Sequence, residues 1–246
     1  MQSRIANRTK GGKELRKIIK STEGETLDIE LDADLLKENE RIAEENKKLL
    51  KAHGVVAIDV MGSVGSGKTT LIEQIVQRIK GKYGVAALDG DLNTTIDADL
   101  IGRHGVESIQ INTGKECHLD ANLVRKALKQ IDLESIDLII IENVGNLICP
   151  SDFPLGSSKR IVVISVTEGP YMVLKHPLTF AKADIVVINK VELADAMGVD
   201  PDKLENDAKK VKPRLKIIKA SLRQGKGVEE VIRALDLPSL VKKAGQ

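Results

Sequence analysis

Tryptophan is absent from this chain, and tyrosine and phenylalanine supply only two residues each. With so few aromatic faces on which unpaired bases stack, single-stranded nucleic acid is a disfavoured partner. A net charge of +2 adds no overall pull toward polyanions. Cysteine occurs only as Cys117 and Cys149, which excludes a disulfide scaffold and places any thiol chemistry on that pair. No apolar run approaches the ~20 residues that cross a bilayer, and the N-terminus has no apolar signal segment, so no membrane association and a cytoplasmic location are expected. No internal repeat interrupts the chain.

What is present suits one sizeable core. Hydrophobic residues make up 41% and charged residues 30% of 246, the balance of a globular domain. Residues 1–33 read as a flexible tail, first basic (Arg4, Arg8, Lys10, Lys13, Arg16, Lys17, Lys20) and then acidic (Glu23, Glu25, Asp28, Glu30, Asp32). Residues 34–246 read as the folded domain. It opens with an amphipathic helix carrying Leu35, Leu36, Ile42, Leu49 and Leu50 and closed by Gly54. Seven short apolar runs follow, near 55–60, 85–89, 108–112, 137–141, 160–166, 185–189 and 215–219, alternating with helical stretches. That rhythm predicts an α/β fold: a doubly wound, mainly parallel, seven-stranded sheet of the P-loop NTPase kind with helices on both faces. Such sheets bind ligands at the carboxyl ends of their strands.

The first run leads into Gly62-Ser63-Val64-Gly65-Ser66-Gly67-Lys68-Thr69, an uninterrupted G-x-x-x-x-G-K-[ST] loop, and a helix opens behind it with Thr70 and Leu71. Its glycines let backbone N–H groups wrap a phosphate. Lys68 would reach the β- and γ-phosphates, and the Thr69 hydroxyl would ligate Mg²⁺. After the second run stand Asp89, Asp91 and, further on, Asp97, each able to complete a Mg²⁺ shell or to orient water, or simply to serve a turn. The fourth run ends in Glu142-Asn143-Val144-Gly145, the place of a Walker B acid and a γ-phosphate-sensing glycine. The sixth ends in Asn189-Lys190-Val191-Glu192, one methylene longer than the guanine-reading N-K-x-D element, which weakens the expectation of GTP over ATP. Ser221, after the seventh run, is placed for a base or ribose contact.

Cys117-His118 follows the third strand and Cys149 lies seven residues beyond Glu142. Thiolates and imidazole suit zinc and also nickel. Three such donors need water, a carboxylate such as Asp120, or a second subunit to complete a site. A switch that moves Glu142 and Gly145 would also move Cys149.

Gly114-Lys115-Glu116-Cys117-His118-Leu119-Asp120 together with Glu142-Asn143-Val144-Gly145-Asn146-Leu147-Ile148-Cys149-Pro150 closely resembles the HypB-type hydrogenase nickel-incorporation GTPases, over roughly residues 34–238. The resemblance implies a SIMIBI-class GTPase that dimerises with nucleotide and helps deliver nickel to the [NiFe]-hydrogenase large-subunit precursor, alongside a HypA-type zinc-containing partner. It implies nickel or zinc at Cys117, His118 and Cys149, with Mg²⁺ and catalytic positions at Thr69, Asp97 and Glu142. Lys175 matches a lysine that reaches the neighbouring subunit's nucleotide site. The chain departs from many relatives in lacking an N-terminal cysteine-rich motif or histidine-rich stretch, and in carrying Glu192 where the family usually has Asp. A nucleotide-switched metallochaperone, slowly hydrolysing GTP through Lys68 and an acid among Asp97 and Glu142, is therefore the expected function. The alternatives are a related GTPase serving urease or another metalloenzyme, although the Cys-Pro-His motif of urease relatives is missing, and an interaction module with negligible turnover.

Overall fold

The computed structural model describes residues 16–20, 33–91, 100–114 and 116–239. Asp97, Lys115 and most of the expected tail lie outside the described residues. All seven expected strands are present: β2 (Val56–Gly62), β3 (Val85–Asp91), β4 (Glu107–Asn112), β5 (Leu138–Glu142), β6 (Lys159–Ser165), β7 (Ile185–Asn189) and β8 (Lys216–Lys219). An eighth, β1 (Arg16–Lys20), joins these seven at the edge of the sheet; it arises within the stretch read as tail and lies along β4. The sheet order is β1-β4-β3-β5-β2-β6-β7-β8, and every pairing is parallel.

Both faces of the sheet are covered, so its central strands are buried continuously rather than alternately. On one face Val56, Ile58 and Val60 pack with Leu71, Ile72, Ile75, Val76 and Ile79 of α2 (Lys68–Ile79). On the other, Val55, Ala57, Ile139 and Ile141 meet Leu50 of α1 (Ala33–Ala52) and Leu123, Val124 and Ala127 of α3 (Ala121–Leu128). Gly54, at φ +70°, takes the left-handed conformation that ends α1 and turns the chain toward β2.

The connections run outward from β2 in one direction as far as β4, return to β5 beside β2, and then run outward the other way through β6, β7 and β8. The order therefore reverses at β5 and β2, where a doubly wound sheet opens its crevice. In register there, Val60 of β2 stands opposite Glu142 of β5, two residues before the phosphate-binding loop begins.

Candidate functional site

The loop Gly62 to Thr69 joins the end of β2 to the start of α2. Gly67, at φ +107° and ψ +25°, sits directly before the helix, and a Cβ there would overlap the Asn189 side chain. Only glycine meets both demands. Lys68 is buried, with its Nζ 3.4 Å from the Ser63 carbonyl and 3.8 Å from Glu142 Oε1. The Thr69 hydroxyl donates to the same Glu142 oxygen at 2.8 Å. Ammonium, hydroxyl and carboxylate thus converge at the head of α2.

A cavity of about 890 Å³ extends from this point. Gly65, Gly67, Lys68, Thr69 and Thr70 of the phosphate loop and helix start line it together with Asn189, Lys190, Glu192 and Arg223. Asp91, Glu142 and Gly145 complete the wall. Its size is in the range of small-molecule sites, and its lining combines the glycine-rich loop with amide, carboxylate and cationic side chains. Among the described aspartates considered, Asp91 faces the cavity, and Asp89 is buried in β3 opposite Glu142 in register.

Asn189 is committed to the frame. Its Nδ2 donates to the Ser66 carbonyl at 2.8 Å and its Oδ1 accepts from the Leu222 N–H at 3.1 Å, tying the phosphate loop to the 221–227 turn. Lys190 follows at φ +61°, a backbone conformation uncommon outside glycine, and the reversal directs Glu192 to the cavity wall. Ser221 is buried outside that lining, and its hydroxyl has no hydrogen-bond partner. Gly145 presses on the phosphate loop, where a Cβ would overlap Val64. Lys175 lies outside its own chain's cavity, exposed at the end of the Met172–Lys175 turn.

The presumptive metal donors are only partly united. Cys117 and Cys149 bring their thiols together. Burial, with Cys117 adding to it, pushes the Cys149 thiol up to about 11, so it is protonated at neutral pH and metal binding must release that proton. His118 packs on the Phe153 ring, centroid to centroid at 3.9 Å. Burial pushes its imidazole down to about 4, and Nδ1 has no hydrogen-bond partner. Asp120, considered as a further donor, caps α3 by accepting from Leu123 N–H at 2.7 Å. Among the described residues, no group of three His, Cys, Asp or Glu is arranged to hold a metal ion. One chain therefore contributes a thiol pair with a neutral imidazole nearby.

A buried polar network joins this region to the nucleotide-sized cavity. Asn143, directly after Glu142, accepts from Leu119 N–H at 3.1 Å through Oδ1 and donates to Asp59 at 3.2 Å through Nδ2. Asp59, in the middle of β2, pairs with Arg160 at 3.0 Å, and Arg160 donates to the Ser151 carbonyl at 3.2 Å. The network thus reaches both donor loops, two residues from Cys117 and two from Cys149. Sequence reasoning passed over Asp59, Asn143 and Arg160. The available signal was an acid inside the apolar run Val55–Val60, where a lone carboxylate demands a partner.

Residues 56–219 match the family model described as CobW/HypB/UreG, nucleotide-binding domain. Over 208 residues the chain is 50% identical to a probable hydrogenase maturation factor HypB from Methanocaldococcus jannaschii, covering 85% of this chain and 94% of that protein. The crystal structure of the hydrogenase maturation factor HypB from Archaeoglobus fulgidus superposes with a TM-score of 0.77 at 48% identity, covering 83% of this chain and 99% of that one. HypB from Helicobacter pylori in complex with nickel gives the same TM-score at 35% identity, with coverage of 85% and 97%.

Proposed function

The chain belongs to the CobW/HypB/UreG nucleotide-binding family, with HypB hydrogenase maturation factors among its strong relatives, and on that premise we propose that it is a nucleotide-switched metallochaperone that hydrolyses GTP slowly and delivers nickel during [NiFe]-hydrogenase maturation. One observation carries the reading. Glu142 accepts from Thr69 at the phosphate loop, and the next residue, Asn143, accepts from Leu119 beside Cys117. The end of β5 therefore touches both sites at once.

In this reading the glycine loop and Lys68 bind the phosphates of GTP or GDP. The oxygen set of Thr69 and Glu142 fits Mg²⁺, a hard cation that takes hydroxyl and carboxylate ligands. Asp97 is the family's additional position. When bound, the ion neutralises charge on the phosphates. The protein's own work is positioning: Lys68 is held by the Ser63 carbonyl, Gly145 is held against Val64, and the Asn189 ties fix the distance from phosphate end to base end. Lys190 and Glu192, which line the cavity, are assigned to the base end, with Glu192 moderating the preference for guanine, while Ser221 belongs to the buried turn outside that lining.

Nickel, or zinc in its place, is the cargo and is assigned to Cys117, His118 and Cys149. Two copies related by a two-fold axis would bring these donors together in duplicate, enough to close a coordination shell. Lys175, exposed beside Tyr171, Leu174 and Leu178, is assigned the role of reaching the partner's nucleotide. A HypA-type chaperone and the hydrogenase large-subunit precursor are the proposed partners, in the cytoplasm. Equilibrium dialysis tests the cargo assignment: one metal equivalent or less per chain is expected, abolished by Cys117→Ala. Equal uptake by that variant would contradict it.

A further inference from the structure

Both donor loops are tied to the same face of α1. Asn39 and Asn46 are seven residues apart, two turns of helix, and so lie on one face. Both are buried, at 0% and 1% exposure, in a helix whose other inward residues include Ile42, Ala43 and Leu50. Asn39 accepts from Ala121 N–H at 2.8 Å and donates to the Pro154 carbonyl at 2.9 Å. Asn46 donates to the Ala121 carbonyl at 2.8 Å and to the Leu155 carbonyl at 3.2 Å.

Each amide thus bridges two segments distant in sequence. Ala121 is the first residue of α3, directly behind Cys117-His118-Leu119-Asp120, and Pro154 and Leu155 follow the short helix Cys149–Asp152. The N–H and the C=O of Ala121, in two successive peptide units, both bond to α1, which fixes the orientation of this backbone as well as its position. The second loop is pressed equally hard: Gly156, at φ +95°, leaves no room for a Cβ against the Ala43 carbonyl and the Asn46 side chain. A leucine at either Asn position would satisfy the apolar stripe better. Buried amides are maintained there at the cost of desolvation, which is offset only when their bonds are made.

We propose that α1 is the clamp that sets the spacing of the two metal-donor loops, with Asn39 and Asn46 as its positioning residues. They touch neither metal nor nucleotide; they hold the backbone on which Cys117 and Cys149 face each other. The inference rests on the assignment of those thiols as the cargo site, and the test separates the two.

Asn39→Leu and Asn46→Leu are compared with the parent full-length chain in three measurements: affinity for a fluorescent GDP, affinity for phenylarsine oxide, and Ni²⁺ titration followed by thiolate-to-nickel charge-transfer absorption. The arsenical chelates adjacent thiols whether or not nickel is the cargo. Expected is GDP affinity within about twofold, with arsenical and nickel affinity lowered about tenfold or more and the absorption band shifted, in the range seen when groups behind metal ligands are changed. Where a leucine variant loses GDP binding, the smaller change Asn→Ser at the same position is used, with the same expectation. Variants that bind GDP, arsenical and nickel like the parent would overturn the clamp. Loss of arsenical binding in the variants, with nickel uptake unchanged by Cys117→Ala, would uphold the clamp and overturn the cargo assignment instead.

Discussion

Gly145 and His118 show how much rests on single side chains. At Gly145 the backbone runs against the Val64 side chain and N–H of the phosphate loop, leaving space for an added carbon only if Val64 shifts. Gly145→Ala is expected to lower stability by about 1 kcal/mol or less, because the exposed Val64 side chain can give way, and to slow GTP turnover more than it weakens GDP binding. Urea unfolding and single-turnover phosphate release check the two parts. His118 makes a pH prediction. Its folded-state pKa, about 4, lies below the ordinary 6.5 because burial disfavours the imidazolium. The unfolded chain therefore binds the proton first as pH falls, so His118 contributes stability above about 6.5 that is lost progressively toward about 4. The metal-free His118→Phe variant should show a shallower decline over that window in urea midpoints. An unchanged slope would mean that the imidazole titrates normally. The sequence marks both residues as candidates for the site. Their packing was not legible there, because the Phe153 contact and the Val64 contact form only when distant loops meet.

Among the elements, β2 and the turn after β7 were readable because their patterns are local: an apolar run, a glycine-lysine loop, and an Asn-Lys pair after a buried strand. The central strand β2 nevertheless carries a buried ion pair that no local pattern announces, since Asp59 and Arg160 are brought side by side only by the pairing of β2 with β6. Removing one partner strands the other charge. Arg160→Met is expected to cost about 3–5 kcal/mol, and Asp59→Leu combined with Arg160→Met to recover much of it. Urea unfolding of the two single variants and the double variant completes the cycle; additive losses would show that the pair is not coupled. The strand β1 escaped notice for a related reason. Five residues with a basic flank look like a tail until β4, far along the chain, offers them an edge to pair with. Helix α1 was legible as an amphipathic helix, but Asn39 and Asn46 on its inner face carried no visible meaning until their carbonyl partners were in place.

For the molecule as a whole, the topology puts a phosphate cradle and a thiol pair at the same edge of one sheet, with the end of β5 between them. The fold class followed from the alternation of runs and helices, and the site edge followed from the fold class. What the sequence could not supply was the division of labour within the metal set, since one chain unites Cys117 and Cys149 and leaves His118 against Phe153. That arrangement makes the assembly of two chains part of the proposed chemistry. Lys175→Ala is accordingly expected to leave GDP affinity within about twofold while lowering GTP turnover about tenfold or more, as for other charges supplied in trans to a phosphoryl group. Turnover equal to the parent would remove Lys175 from the account.

The central claim is that nucleotide state and metal affinity are linked through the end of β5. Isothermal titration of Ni²⁺ into the full-length chain, loaded in parallel with GDP and with a non-hydrolysable GTP analogue, tests it directly. The account predicts affinities that differ by about fivefold or more between the two states, with the difference lost in Cys117→Ala. Equal nickel affinity in both nucleotide states of the parent chain would contradict it.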